Sequence, residues 1–390
     1  MVSLLKKIYL IVPTLLACYL IFKIDMFKGS LAFIREKNCK ASPFPAVGAQ
    51  DIAQINHKTA IVSHSDFVRL LFKRGGAVLA GGLFVVKEEE GKVLKMKVGL
   101  VGFPEGVKFN PHGIHFHEGR LFVVNHSNVS GGGDRIEIFT FDQQKNEARY
   151  LRTIRFPPSM NWRLSDVTLV GNKRLFVSIW RPFPSDLRGI PFDSFLTEVK
   201  TLLYYFSPFR LQNVLECKLD DLDSQLELNF DQVCRERSEI SGIIPSGIAS
   251  DDQNRLFIAD TFRKSVDVYE INEDEIKPIL SLKVDPLVVN LSYDRAQNSI
   301  YLTGVLRLKD FMRAAGEMIE EGINRSPTPY ENLVQKIDLS TSDMAVETLI
   351  SGAFIGSSTG AMRLGNTLLV GSLFDRLHEC EIDRTEAANR

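Results

Sequence analysis

Short runs rich in Val, Ile, Leu and Phe, each preceded by a polar turn, recur along the chain. The instances are "HGIHFHEGRLFVVNH", "SDVTLVGNKRLFVSIW", "SGIASDDQNRLFIADTF", "VNLSYDRAQNSIYLTGV" and "TGAMRLGNTLLVGSLF", with strand starts at Leu121, Leu175, Leu256, Ile300 and Leu368. Pairs of short strands joined by a polar turn and repeated at roughly 50-residue spacing, with insertions, predict a β-propeller. "INHKTAIVSHSD" and "GGLFVVKEEE" supply a further blade, giving about six. A β-sandwich is the rival architecture, and it leaves the repeat unexplained. Two segments carry helical spacing instead. One is Arg188 to Phe206, with Phe195, Val199, Leu202 and Leu203 on one face and an aromatic end; the other is Leu308 to Ile323. Such helices cover one face of a propeller, and the first also suits a membrane interface. The fold expected is all-β, a six-bladed propeller with one N-terminal transmembrane helix and one or two accessory helices.

The N-terminus departs from this pattern. It is uncharged from Ile8 to Phe22, with Lys6 and Lys7 before and Lys23 after. This is short for a span of ~20 residues, but Lys23 can snorkel and Ile24 extends the apolar run. A small-x-small cleavage pattern is hard to find before Lys23 to Lys28, which favours an uncleaved signal anchor over a cleaved leader. The positive-inside rule keeps the amino end cytoplasmic. The organisation expected is a cytoplasmic tail 1–7, an anchor 8–24, a lumenal stem 25–38, a propeller 39–382 and a tail 383–390. That makes a single-pass type II membrane protein of the endoplasmic reticulum, the plasma membrane or both, with the propeller lumenal or extracellular.

Four cysteines lie outside the anchor: Cys39, Cys217, Cys234 and Cys380. In an oxidising space an even number suggests two disulfides. Of the three pairings, outer with outer and inner with inner is preferred, and free buried thiols are the alternative. The segment between Cys217 and Cys234 is acidic and reads as a solvated loop or, less simply, a partner contact. Glycosylation sequons stand at Asn125, Asn128, Asn290 and Asn324, with Asn128 and Asn324 the better candidates. A chain that is 44% hydrophobic and 24% charged, with net charge -1, is an ordinary globular protein without the basic stripe that a nucleic-acid partner requires.

"FNPHGIHFHEGRLFVVNHSNVSGGGD" holds four of the seven histidines: His112, His115, His117 and His126. They could form a metal site, a general-base pair or ordinary strand positions. Their local spacing does not support a histidine zinc site. The motifs "FNPHGI", "VVNH", "YYFSP", "VDVYE", "NLSYD" and "LLVGSLF...CEI" follow, in order, those of the calcium-dependent paraoxonase/arylesterase family, which the chain resembles from about Asn38 to Ile382.

The resemblance implies a six-bladed propeller with two calcium ions in its channel and a Cys39–Cys380 disulfide closing the ring. It places a histidine dyad at His112 and His126, which in active members activates the water that attacks a lactone or ester, and gives His115 and His117 no role. It places structural-calcium ligands at Asp51, Asp166 and the Ile114 carbonyl, all retained. Catalytic-calcium ligands, one glutamate, one aspartate and three asparagines in the family, fall on Gln50, Val289, Ser165, Ser246 and Asn290. Calcium wants six to eight oxygens and binds more tightly with more carboxylates. Both carboxylates are replaced here, which implies one structural calcium and a lost catalytic one. Asn290, both ligand counterpart and sequon, is expected to be buried in the channel.

Two functions follow. The first is a non-enzymatic, membrane-anchored protein resembling a nematode branch of the family. That branch assists folding, assembly or surface activity of degenerin/epithelial sodium channels in touch-sensing neurons. The second is a calcium-dependent arylesterase or lactonase using His112 and His126. An unknown membrane-protein partner is the plainer form of the first.

Overall fold

The computed structural model describes residues 38–44, 47–67, 70, 81–127, 133–183, 212–219, 226–273, 275–321 and 328–381. The expected anchor, the helix 188–206, and the sequons at Asn128 and Asn324 lie outside these residues. Among the described residues no helix is long and apolar enough to cross a membrane.

Six sheets each run outward from an inner strand. The inner strands are Ala49–Asn56, Pro111–His117, Leu164–Val170, Pro245–Ser250, Leu287–Asp294 and Ser358–Leu364, in blades one to six. The run that identified each repeat forms the second strand, as in Arg120–Asn125, Arg174–Ile179 and Arg255–Asp260. These strands have lost the in-out alternation of a half-buried sheet because neighbouring blades cover both faces. Leu121, Phe122, Val123 and Val124 are all fully buried. Strands at the periphery recover it: Lys92–Lys97 alternates exposed and half-buried positions.

The core is therefore a set of interblade layers. Phe122, Ile136 and Ile138 of blade two meet Leu169, Leu175 and Val177 of blade three. Phe257, Val266 and Val268 of blade four meet Ile300, Leu302 and Ile337 of blade five. The predicted helix at Leu308 is present as Leu308–Glu321, covering part of one face through Ala314, Ala315 and Met318.

Blade six takes its outer strand from the other end of the chain. Cys39–Ala41 pairs antiparallel with His378–Glu381, placing Cys39 opposite Cys380. A disulfide joins them, and a second joins Cys217 to Cys234 on adjacent strands of blade three. The acidic insertion clasped by this second bond is more than a solvated loop. Glu227–Asn229 pairs in parallel with Thr153–Arg155 of blade two, and Phe230 lies 5.3 Å from Phe156. The sequence hid this because one buried Leu228 between polar Glu227 and Asn229 carries no strand signature.

Candidate functional site

Every inner strand breaks register with its neighbour at the same level, beside Asp51, Gly113, Asp166, Gly247, Asn290 and Gly360, and Ala49–Asn56 does so a second time between Gln54 and Asn56. Bulges of this kind re-aim side chains, here toward the centre. Round the ring, a residue with a side-chain oxygen alternates with a glycine. The glycines admit their neighbours: a Cβ on Gly113 would stand 2.3 Å from Asp166 Cα, and one on Gly247 2.5 Å from Asn290 Cα. The carboxylates stitch two of the remaining joints, between blades one and two and between blades three and four. Asp51 accepts from the backbone N–H of Ile52 and of Ile114 in blade two, both at 2.7 Å. Asp166 accepts from Val167 at 2.7 Å and from Ile248 of blade four at 2.9 Å.

Asp51 and Asp166 are both 2% exposed. Burial pushes the Asp51 carboxyl up to about 6, against hydrogen bonds from Ile114 and Ile52 that pull it down. Burial and the neighbouring Asp51 charge push Asp166 well above the carboxylate range. The side chains of Asp166 and Asn290 also pull the Asp51 carboxyl down, less strongly than the two backbone groups. Among the described residues no lysine or arginine forms a salt bridge with either. Two adjoining buried carboxyls with raised proton affinity and no basic partner fit a hard cation. The structure brings Ile114 to this point through its N–H.

One residue earlier on the same strands lie the other predicted metal positions, and their chemistry differs. Val289 offers no oxygen. The Ser246 hydroxyl is 2.8 Å from that of Thr261 and 3.1 Å from the Val288 carbonyl. Gln50 is 2% exposed and its amide nitrogen has no partner. Ser165 is buried, as is Asn290, whose side-chain oxygen already accepts from Leu291 N–H at 2.9 Å. An aliphatic group, an engaged hydroxyl and an orphaned N–H donor do not fit a second dication.

His112 shares this level. Its Nδ1 lies 3.1 Å from His126 Nε2, and His126 Nδ1 lies 3.1 Å from Asp134 Oδ1. His126 and Asp134 are fully buried, whereas His112 keeps a small exposed edge. Burial, then the adjacent His126, hold His112 well below the ordinary histidine range. Two aromatic rings fix the geometry: Trp162 stacks on His126 at 4.6 Å and 14°, and Phe67 stands 4.7 Å from His112. Trp162 has φ +60, a costly conformation for a bulky residue and one that concentrates at functional positions. A carboxylate, imidazole, imidazole series can fix tautomers and pass a proton along its length.

Sequence reasoning found the two histidines and missed Asp134, Trp162 and Phe67. The only sequence signal for Asp134 is an aspartate closing the glycine run after His126. His115 and His117 are strand residues as expected; burial pushes His115 down to about 3. Asn125 is no glycosylation acceptor in the fold: it is fully buried, and its amide donates to Glu137 at 2.9 Å. Asn290 is buried as expected.

The arylesterase family profile matches residues 46–221, which include both histidines, Asp134 and Trp162. Serum paraoxonase/arylesterase 2 of Bos taurus is 26% identical over 313 residues, 77% of each chain. The Rattus norvegicus protein of that name is 25% identical over 369 residues, 88% of this chain and 89% of that one. The protein is paraoxonase-like. Serum paraoxonase/lactonase 3 of Homo sapiens is 22% identical over 286 residues, 70% of this chain and 69% of its own.

Proposed function

We propose that this paraoxonase-like chain is a non-enzymatic protein, anchored in a membrane by residues 8–24, that assists a membrane partner. Folding, assembly or surface activity of a degenerin-type sodium channel is the task the family resemblance suggests. The observation that carries the reading is an aliphatic Val289, a Gln50 amide whose N–H is unpaired and a Ser246 hydroxyl already engaged, where the resemblance expects carboxylate and amide ligands, beside the buried Asp51–Asp166 pair. A fold kept while its reaction centre erodes points to use of its surface, and tethering raises the local concentration of that surface near a membrane partner. The test is co-expression of such a channel with the wild type, with His112→Gln/His126→Gln, and with a form carrying a cleavable leader in place of residues 1–28. The dyad variant should support channel yield and current fully, and the secreted form poorly. Loss of support by a dyad variant of normal abundance would overturn the reading.

The second reading, an arylesterase or lactonase, rests on the Asp134–His126–His112 series, each step of which spans 3.1 Å. In it His112 would take a proton from an attacking water, His126 and Asp134 would hold the ring in place, and a calcium bound through altered ligands would face the oxyanion.

A single calcium held by Asp51 and Asp166 would neutralise two buried carboxylates and tie blades one to four. Without it, Asp51 binds its proton more tightly folded than unfolded, so that stabilisation is present below about pH 4. It is lost as pH rises through about 6. The calcium-dependent gain in melting temperature should therefore be small at pH 5, larger at pH 7.5, and absent in Asp166→Asn. Identical melting with and without chelator at pH 7.5 would exclude the ion.

A further inference from the structure

On the side of the bulges away from the imidazole pair, the channel widens into a cavity of about 520 Å³. Asp51 lines it, as do Ile52, Ile114, Val167 and Ile248, whereas Gln50, His112 and Val289 do not. The direction of the two buried carboxyls follows from their partners. Asp51 accepts from the N–H groups of Ile52 and Ile114, and Asp166 from those of Val167 and Ile248. All four donors belong to residues of the cavity lining, so both carboxyls lean toward its floor.

The other end of the cavity meets water at a charged rim. The side chains of Glu118, Asp252 and Arg295 are 68%, 49% and 59% exposed there. Their signs do not cancel. Arg295 is spent on Asp252, two contacts lying at 2.7 and 2.8 Å, and Asp251 is held by Arg255 at 2.5 Å. That leaves Glu118 on the rim and Asp51 on the floor. Among the described residues neither forms a salt bridge with a lysine or arginine, and Glu118 meets the His117 ring at 3.9 Å. The wall between them adds no positive charge, since burial pushes His115 down to about 3, and Ala53, Leu169 and Ala249 make part of it apolar. A cleft lined by an excess of one sign, with apolar walls, focuses its field and draws in counter-ions.

We propose that this cavity is the path by which a small hard dication reaches the Asp51–Asp166 pair, with Glu118 drawing it in at the rim. The proposal rests on the calcium reading given above and is independent of the dyad and of the channel partner. Its test uses calcium and the full-length chain in detergent. Affinity is read by calorimetry, entry by stopped-flow mixing with calcium, and exit by mixing the loaded protein with a fluorescent chelator.

Glu118→Gln should slow entry about twofold or more at low salt, and the difference should shrink as ionic strength rises. Ala296→Trp adds bulk at an exposed position on the rim. It should slow entry and exit by the same factor, about fivefold or more, and leave affinity unchanged, because an obstruction on a path acts equally in both directions. Val289→Phe, on the imidazole side, should change neither rate; Val289→Met serves if that variant melts well below the wild type. Slowing by the Val289 variant without slowing by Ala296→Trp would overturn the path while leaving the ion in place. Absence of calcium binding by the wild type would overturn the ion itself and the path with it.

Discussion

Supplied with lactones or aryl esters and calcium, the full-length protein is expected to show no turnover that chelation removes. The His112–His126 pair alone does not make a hydrolase, because charge develops on the carbonyl oxygen and something must receive it. Removing even one oxyanion donor costs an enzyme about 10²- to 10³-fold. Where the resemblance places that cation, Val289 is aliphatic and the Ser246 hydroxyl is engaged with Thr261 and Val288. The complementary experiment rebuilds the ligands with Gln50→Glu, Ser165→Asn, Ser246→Asn and Val289→Asp. The rebuilt chain should gain calcium affinity, and any hydrolysis it gains should vanish with His112→Ala. Chelator-sensitive turnover by the wild type would restore the enzyme reading.

The second large effect concerns ring closure. Cys39 and Cys380 are 341 residues apart, whereas Cys217 and Cys234 are 17 apart. Loop-closure entropy assigns about 5 to 6 kcal/mol to the first and about 3 kcal/mol to the second. The terminal strand has only three paired positions to hold it without the bond. Cys39→Ser should therefore lower the urea midpoint distinctly more than Cys217→Ser, and the double Cys39→Ser/Cys380→Ser variant should match the single one. Equal midpoints for the two bonds would mean that ring closure adds nothing beyond local clasping.

The blades were legible because their second strands are buried on both faces. That burial forces the run from Leu121 to Val124 and its counterparts to stand out against polar turns. The Cys39–Cys380 closure came from the preferred outer-with-outer pairing and from the resemblance, whereas strand register was not legible. The ring of bulge residues at the channel was only half legible. Asp51 and Asp166 could be named, but their alternation with Gly113, Gly247 and Gly360 depends on six strands meeting at one level, which appears only when the ring is assembled. Asp134 was invisible for a similar reason: a contact closed across a glycine-rich turn leaves no periodicity. Asn125 misled because a sequon records chemistry and not burial.

The terminal strand of blade six also has a mechanical meaning. Whatever tension reaches the propeller through the residues before Asn38 arrives at Cys39. There a covalent bond hands it to Cys380, on a strand paired with Thr367–Ser372. The load thus bypasses the three-residue ladder, which would otherwise be sheared, and spreads into a blade seated on its neighbours. With the bond intact the ring should bear a pull as one body; with it reduced, the first thing to yield would be the strand Cys39–Ala41, opening blade six before any other.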